Sequence, residues 1–332
     1  DESIEEKFTK LYTSSLPLQI QGGELNSNLK WYYGPTDARI FNDYKGLDLS
    51  ESIPFGWGIF GFINKHIFTP LFGFLSTVFP YGIAIIVMTI LVRIVLSPVT
   101  YKSYLSQAKM KVLRPEIQEI NDKFKDNPMK RQQETMKLYG KAGVSPMSGC
   151  VPALLQLPVF YALFMFFPTA IMLRHKSFLW ADDLSSYDII YKFPEGFSIP
   201  FYGDHVSLFP ILASVAIFFY MKMTTGQQQA MQQPTQEGMP DMSSIMKIMI
   251  YISPVMMLFF FNNYASGLSL YYFISNLITI VIMLVIKNYI IDEDKIHDKI
   301  QENKKKPKKE NKFQRKMREM MEQAEAQQKK KK

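Results

Sequence analysis

The stretch Tyr81-Gly-Ile-Ala-Ile-Ile-Val-Met-Thr-Ile-Leu-Val-Arg93-Ile-Val-Leu-Ser-Pro-Val-Thr100 decides the fold class. As a helix, about 20 residues rising about 1.5 Å each cover the roughly 30 Å hydrocarbon core of a bilayer. One charge interrupts this run, Arg93. A guanidinium carries a fixed charge, so in hydrocarbon it must find water, an anion or a partner. Leaving it without one costs about 2.5 to 3.5 kcal/mol on insertion scales and more in simulation. An arginine in such a place is a functional-site candidate by default.

Outward from this run, the chain alternates between two kinds of sequence. Mean hydropathy is close to zero, but the average conceals near-continuous apolar runs separated by segments rich in Lys, Glu and Gln. With 47% hydrophobic and 14% aromatic residues, the block pattern reads as an integral membrane protein with soluble appendages. The single cysteine, Cys150, excludes an internal disulfide or a cysteine-based metal cluster and reads as a small packing residue. The chain opens at Asp1 rather than at an initiator methionine, and is expected to be a processed or partial product.

Five stretches qualify as spanning helices: about 80–101, 151–173, 206–223, 245–263 and 267–289. Residues 1–52 alternate in short runs, such as Leu16-Pro-Leu-Gln-Ile20 and Leu29-Lys-Trp-Tyr-Tyr33 before Gly34-Pro35, and are expected to be β-rich. Residues 53–78 read as an amphipathic helix lying in the membrane interface. Asn64, Lys65 and His66 are consecutive there, which argues against burial in hydrocarbon. The 102–149 segment has helical periodicity, many charges and a turn near Asp126-Asn127-Pro128, the pattern of a helical hairpin outside the membrane.

Orientation follows from the basic residues. The 102–149 segment holds ten Lys and Arg, the chain from Lys287 onward sixteen, and the 174–205 loop three against five acidic residues. The positive-inside rule then puts the hairpin, the 224–244 loop and the C-terminal tail in the cytoplasm, with residues 1–79 and the 174–205 loop outside. The tail, 291–332, is low in complexity, with a short helix expected over about 313–327. Its lysine runs read first as plain solvated tail; anionic lipid and RNA phosphate are the alternatives, and nothing in the run selects between them.

Within this frame Arg93 lies roughly 11 Å from the cytoplasmic end of its helix. Snorkelling to that surface is one explanation, but helical side chains tilt toward the helix N-terminus, which points the other way. Thr89 is one turn away on the same face, and the two together suggest a wetted surface. None of the five spans contains a carboxylate, so water is the expected partner. Gln156 sits between Pro152 and Pro158. Ser269, Tyr272 and Asn276 share one face of the last span. Each alone suits an interhelical hydrogen bond of about 0.6 kcal/mol; with Arg93 they outline a polar cavity open to the cytoplasm. Nucleotide-binding, metalloprotease and nucleophile–base motifs do not occur in the sequence, which disfavours an enzyme. A transporter or channel stays as the competing reading.

Four motifs carry a resemblance. They are Thr89-Ile-Leu-Val-Arg93 with Ser97-Pro98, Ala108-Lys-Met-Lys-Val-Leu-Arg-Pro-Glu-Ile-Gln118, Gly149-Cys-Val-Pro-Ala-Leu-Leu-Gln156-Leu-Pro158, and Ser266-Gly-Leu-Ser-Leu-Tyr-Tyr272-Phe-Ile-Ser-Asn276-Leu277. In order and spacing the chain resembles the YidC/Oxa/Alb family of membrane protein insertases in its Gram-negative bacterial form.

The resemblance implies an all-α polytopic membrane protein: a core of five transmembrane helices over 79–290 around a hydrophilic groove, with a cytoplasmic helical hairpin. Residues 1–52 would be the end of a periplasmic β domain. It implies that Arg93 is the groove cation, that Thr89, Gln156 and Asn276 belong to the groove, and that Tyr271 and Tyr272 touch the substrate helix. It implies an inner-membrane insertase and chaperone needing no cofactor or metal. Its partners would be nascent membrane proteins, the SecYEG translocon and SecDF, the ribosome through tail and hairpin, and the lipid bilayer. Two places depart from the family pattern: Asn262-Asn-Tyr-Ala265 and the long Gln- and Met-rich 224–244 loop.

Overall fold

A computed structural model describes residues 13–17, 30–41, 43–44, 46–125, 127–144, 148, 151–229 and 242–305. The chain divides into two units, Asp1–Thr36 and Asp37–Lys332. In the first, Trp31 and Tyr33 stack with centroids 6.5 Å apart, and the Tyr32 hydroxyl donates to the Pro35 carbonyl. The strand expected over Leu29–Tyr33 is not met at its described residues, 30–33. An extended run becomes a strand only with a paired neighbour, and the described residues of this unit supply none. Most of Leu16–Ile20 lies outside the described residues.

The second unit is helical. It opens with α1 (Ala38–Phe41), whose preceding residue Asp37 forks onto the Arg39 guanidinium at 2.8 Å. Then α2 (Gly58–Ile63) runs through a wide turn, Asn64–Phe68, into α3 (Thr69–Val78). That turn changes the reading of the polar triplet. Asn64 faces inward, fully buried, and its amide donates to the Phe55 carbonyl at 2.8 Å, while Lys65 and His66 stay exposed.

The long helix α4 covers Tyr81–Val112, 32 residues, or about 48 Å. The sequence reading began the hairpin at 102; instead the apolar run and the first hairpin residues form one rod. Pro98 sits inside it without breaking it. A proline cannot donate to the carbonyl four residues back, here that of Ile94, and the Ser97 hydroxyl donates to that oxygen instead at 2.8 Å. The hairpin follows as α5 (Arg114–Lys123) and α6 (Pro128–Ala142), turning where Asn127 caps α6 by accepting from the Lys130 amide.

Helices α7 (Val151–Thr169), α8 (Leu208–Gln229), α9 (Met242–Asn262) and α10 (Ser266–Val285) complete the set. All five stretches expected to span are therefore helical. Two helical stretches are long and apolar enough to cross a membrane, Tyr81–Val112 and Ser266–Ile290; 154–169, 208–224 and 248–262 are shorter apolar segments. Helix α10 lies against α4 and α8, α9 packs on α8, and α7 touches α4 and α10. Their shared core includes Phe72, Ile85, Met88, Phe167, Phe209, Phe261 and Tyr271.

The loop between α7 and α8 caps one end of this bundle. It carries a two-residue antiparallel pair, β1 (Tyr191–Lys192) with β2 (His205–Val206). The Phe178 ring lies directly on Gly82, where a side chain would collide with it. The Leu184 and Ser186 carbonyls accept from the first amides of α10, Gly267 and Ser266. Asp188 accepts from Trp180 Nε1 and from the Leu208 and Phe209 amides that open α8. Burial outweighs these donors and pushes its carboxyl above the usual carboxylate range.

The departure at Asn262 proves to be structural. Its side chain is fully buried, accepts from the Ser207 amide and donates to the Tyr202 and His205 carbonyls. Tyr264 has an equally local task. Pro168 frees the Phe164 carbonyl in α7, and the Tyr264 hydroxyl donates to that oxygen at 2.7 Å.

At the other end the chain makes a helix the sequence reading did not separate from the tail, α11 (Glu293–Lys305). Its Ile296 and Ile300 pack with Met110, Leu113, Ile117, Leu138 and Tyr139 in a second core. Lys304 closes the contact on Glu116 at 2.5 and 2.6 Å. The helix expected over 313–327 and most of the 224–244 loop lie outside the described residues.

Candidate functional site

Arg93 meets α10. Its Nε donates to Ser275 Oγ at 2.7 Å, and its Nη2 donates to the same oxygen. The contact joins residues 182 apart in sequence and exists because α4 and α10 pack side by side. Ser275 is fully buried and Arg93 half-buried. Ser275 was missed in reading the sequence. The available signal was its position one turn after Tyr271 on the same helix face.

Three of the expected residues gather around this pair. Tyr271 and Tyr272 are buried with rings 5.4 Å apart, edge to face. Tyr272 also meets Phe160 and Phe261, each at 5.5 Å. The Gln156 amide lies beside both tyrosine hydroxyls, and Ser275 lies beside that of Tyr271. Even so, Gln156 Nε2 and both hydroxyls are buried without completing a hydrogen bond. Ser269 Oγ, two residues before Tyr271, is in the same condition. Buried polar atoms left unpaired cost about 1 to 3 kcal/mol each, and the nearest polar groups to these hydroxyls are the Gln156 amide and Ser275.

The other two expected residues bond to carbonyls of their own helices. Thr89 is fully buried, and its hydroxyl donates to the Ile85 carbonyl of its own helix at 2.7 Å. It does not share a wetted face with Arg93. Asn276 is buried too, and its amide donates back to the Tyr272 carbonyl at 2.8 Å.

The surroundings are apolar and open. Ile94 and Val95 next to Arg93 are exposed, as are Leu154, Leu155 and Leu157 around Gln156. Among the described residues, Arg93 has no carboxylate within ion-pair distance. The guanidinium is held by a neutral oxygen, so its charge is oriented but not cancelled.

The family described as "60Kd inner membrane protein" matches residues 73–294, which contain every residue of this site. The chain belongs to that family. Among curated relatives it is 50% identical over 308 residues to the membrane protein insertase YidC of Parabacteroides distasonis, covering 88% of this chain and 46% of the relative. It is 41% identical over 305 residues to the same-named protein of Porphyromonas gingivalis, covering 88% and 47%. A third, from Amoebophilus asiaticus, is 39% identical over 305 residues, covering 91% and 48%. The chain thus spans about half the length of the curated relatives it matches. The insertase family resemblance seen in the four motifs is borne out.

Proposed function

We propose that this chain inserts membrane proteins into the bacterial inner membrane, with Arg93 as the charge that receives a polar part of the incoming polypeptide. The observation that carries this reading is the Arg93–Ser275 contact: an oriented, unneutralised cation on an apolar helix, beside unpaired polar atoms of Gln156, Tyr271 and Tyr272. The relatives' shared name, membrane protein insertase, supports it.

In this reading the helices over 79–290 cross the bilayer five times and the helix over 53–78 lies in the interface. The hairpin and tail face the cytoplasm, where their basic residues concentrate. Water entering from that side shortens the apolar distance a hydrophilic segment must cross. The fixed positive charge lowers the desolvation cost of acidic residues in that segment. The family resemblance assigns Tyr271 and Tyr272 to the passing chain; both are buried in this structure, so the helices must part for them to reach it. Burying about 20 apolar residues in lipid then supplies the driving force, so no nucleotide or bound metal enters the scheme. The SecYEG translocon, SecDF and the ribosome complete the proposed set of partners, on the family resemblance.

The test is insertion in reconstituted vesicles. Arg93→Ala is expected to lower insertion of substrates whose translocated segment is acidic by about tenfold, the scale of one lost charge-assisted contact. Unchanged insertion across all substrates tried would overturn the electrostatic role. Ion flux through the vesicles without insertion would favour a channel.

A further inference from the structure

An arginine on a spanning helix can escape hydrocarbon by stretching toward the nearer surface or by staying at depth with partners. The choice sets where its charge acts. Arg93 lies twelve residues after Tyr81, the start of α4, or about 18 Å along the axis. Ser275 lies nine residues after Ser266, the start of α10, or about 14 Å along it. Both starts rest on the same loop, Gly82 under Phe178 and Gly267 against the Leu184 carbonyl. The two helices run in parallel from that end, and the contact between Arg93 and Ser275 lies well inside both. The Cα–Cβ bond of Arg93 points back toward the loop end, and its guanidinium ends on a side chain of the neighbouring helix. A snorkelling side chain would run the opposite way, toward the hairpin.

The identity of the partner matters as much as its depth. Thr89, Asn276 and Thr279 bond back to carbonyls of their own helices. Ser275 instead accepts two donors from Arg93. A hydroxyl oxygen has two acceptor sites, and a guanidinium has five N–H donors, so both acceptor sites of the serine are filled while three guanidinium donors remain for another ligand. A carboxylate in its place would hold the arginine equally well but neutralise it. Serine positions the charge and leaves it active.

We infer that Ser275 is a positioning residue that holds the Arg93 guanidinium between α4 and α10 and so sets where an acidic substrate segment is received. This rests on the insertase reading of the site. It is tested with the full chain in reconstituted vesicles, using one substrate with an acidic translocated segment and its counterpart with those carboxylates changed to amides. The readout is the ratio of acidic to neutral insertion. Ser275→Ala is expected to lower that ratio about tenfold, and Ser275→Thr, which keeps the hydroxyl, to restore most of it. Added to Arg93→Ala, Ser275→Ala should lower the ratio no further, since the two act as one unit. Equal loss on both substrates would mark Ser275 as merely structural and overturn the inference. A wild-type ratio in Ser275→Ala beside a low one in Arg93→Ala would overturn the positioning role and leave the insertase reading standing. A wild-type ratio in Arg93→Ala would remove both.

Discussion

Two single residues here complete hydrogen bonds that prolines leave open, Ser97 and Tyr264. Tyr264 illustrates it: its hydroxyl serves the Phe164 carbonyl that Pro168 cannot, while its ring stacks on Phe164 at 4.4 Å. Tyr264→Phe keeps the stacking and orphans the carbonyl, so a loss of about 1 to 3 kcal/mol is expected. The partner variant sharpens the expectation. Pro168→Ala restores a backbone N–H facing that carbonyl, and in that background Tyr264→Phe should cost much less. Thermal unfolding of the four proteins in detergent measures the coupling, and equal costs in both backgrounds would refute it. Arg93 was legible as a single residue because its apolar neighbours give a charge no local explanation. Ser275 and Tyr264 were not, because a serine or tyrosine in a helix is ordinary until its partner is seen.

At the scale of elements, helix positions and periodicity were readable; where α4 ends and which helices pair were not. The apolar runs mark the bundle helices because the preference of such residues for apolar surroundings depends on composition alone. The hairpin showed itself through its charges and its Asn127-Pro128 turn. Helix α11 did not, since a segment dense in Lys and Glu looks like solvated tail. Two isoleucines decide otherwise, Ile296 and Ile300, four apart and both buried against the hairpin. Ile300→Ala is expected to weaken that contact by about 2 to 5 kcal/mol. Hydrogen exchange over 102–142 would then speed up while exchange in α10 holds. An unaltered hairpin would show that α11 rests on it without supporting it. The half-buried Lys304–Glu116 pair adds about 1 kcal/mol or less and serves more to set register than to hold the helix.

At the scale of the whole molecule, one apolar core lies among the bundle helices and another between the hairpin and α11. The 174–207 loop closes the opposite end of the bundle, where Asn262 ties Tyr202, His205 and Ser207 together. The proposed orientation makes these two ends face opposite sides of the membrane. With Cys150→Ser as background, a cysteine at exposed Lys125 and one at exposed Phe201 should react with a membrane-impermeant maleimide from opposite sides of oriented vesicles. Labelling of both from one side would contradict the orientation.

Taken alone, the sequence determined the membrane class, the helical segments, the hairpin turn and the lone charge that marks the candidate site. Each of these depends on what a residue costs to place in water or lipid, a property of short stretches of chain. Only the tertiary structure decided what Arg93 holds, which polar residues join it and which turn back to their own helices. It also decided that the first tail residues form part of the hairpin core. Those outcomes depend on contacts between groups as far apart as 182 and 188 positions. Such contacts are set by how helices pack, and periodicity within one helix carries no record of its neighbours.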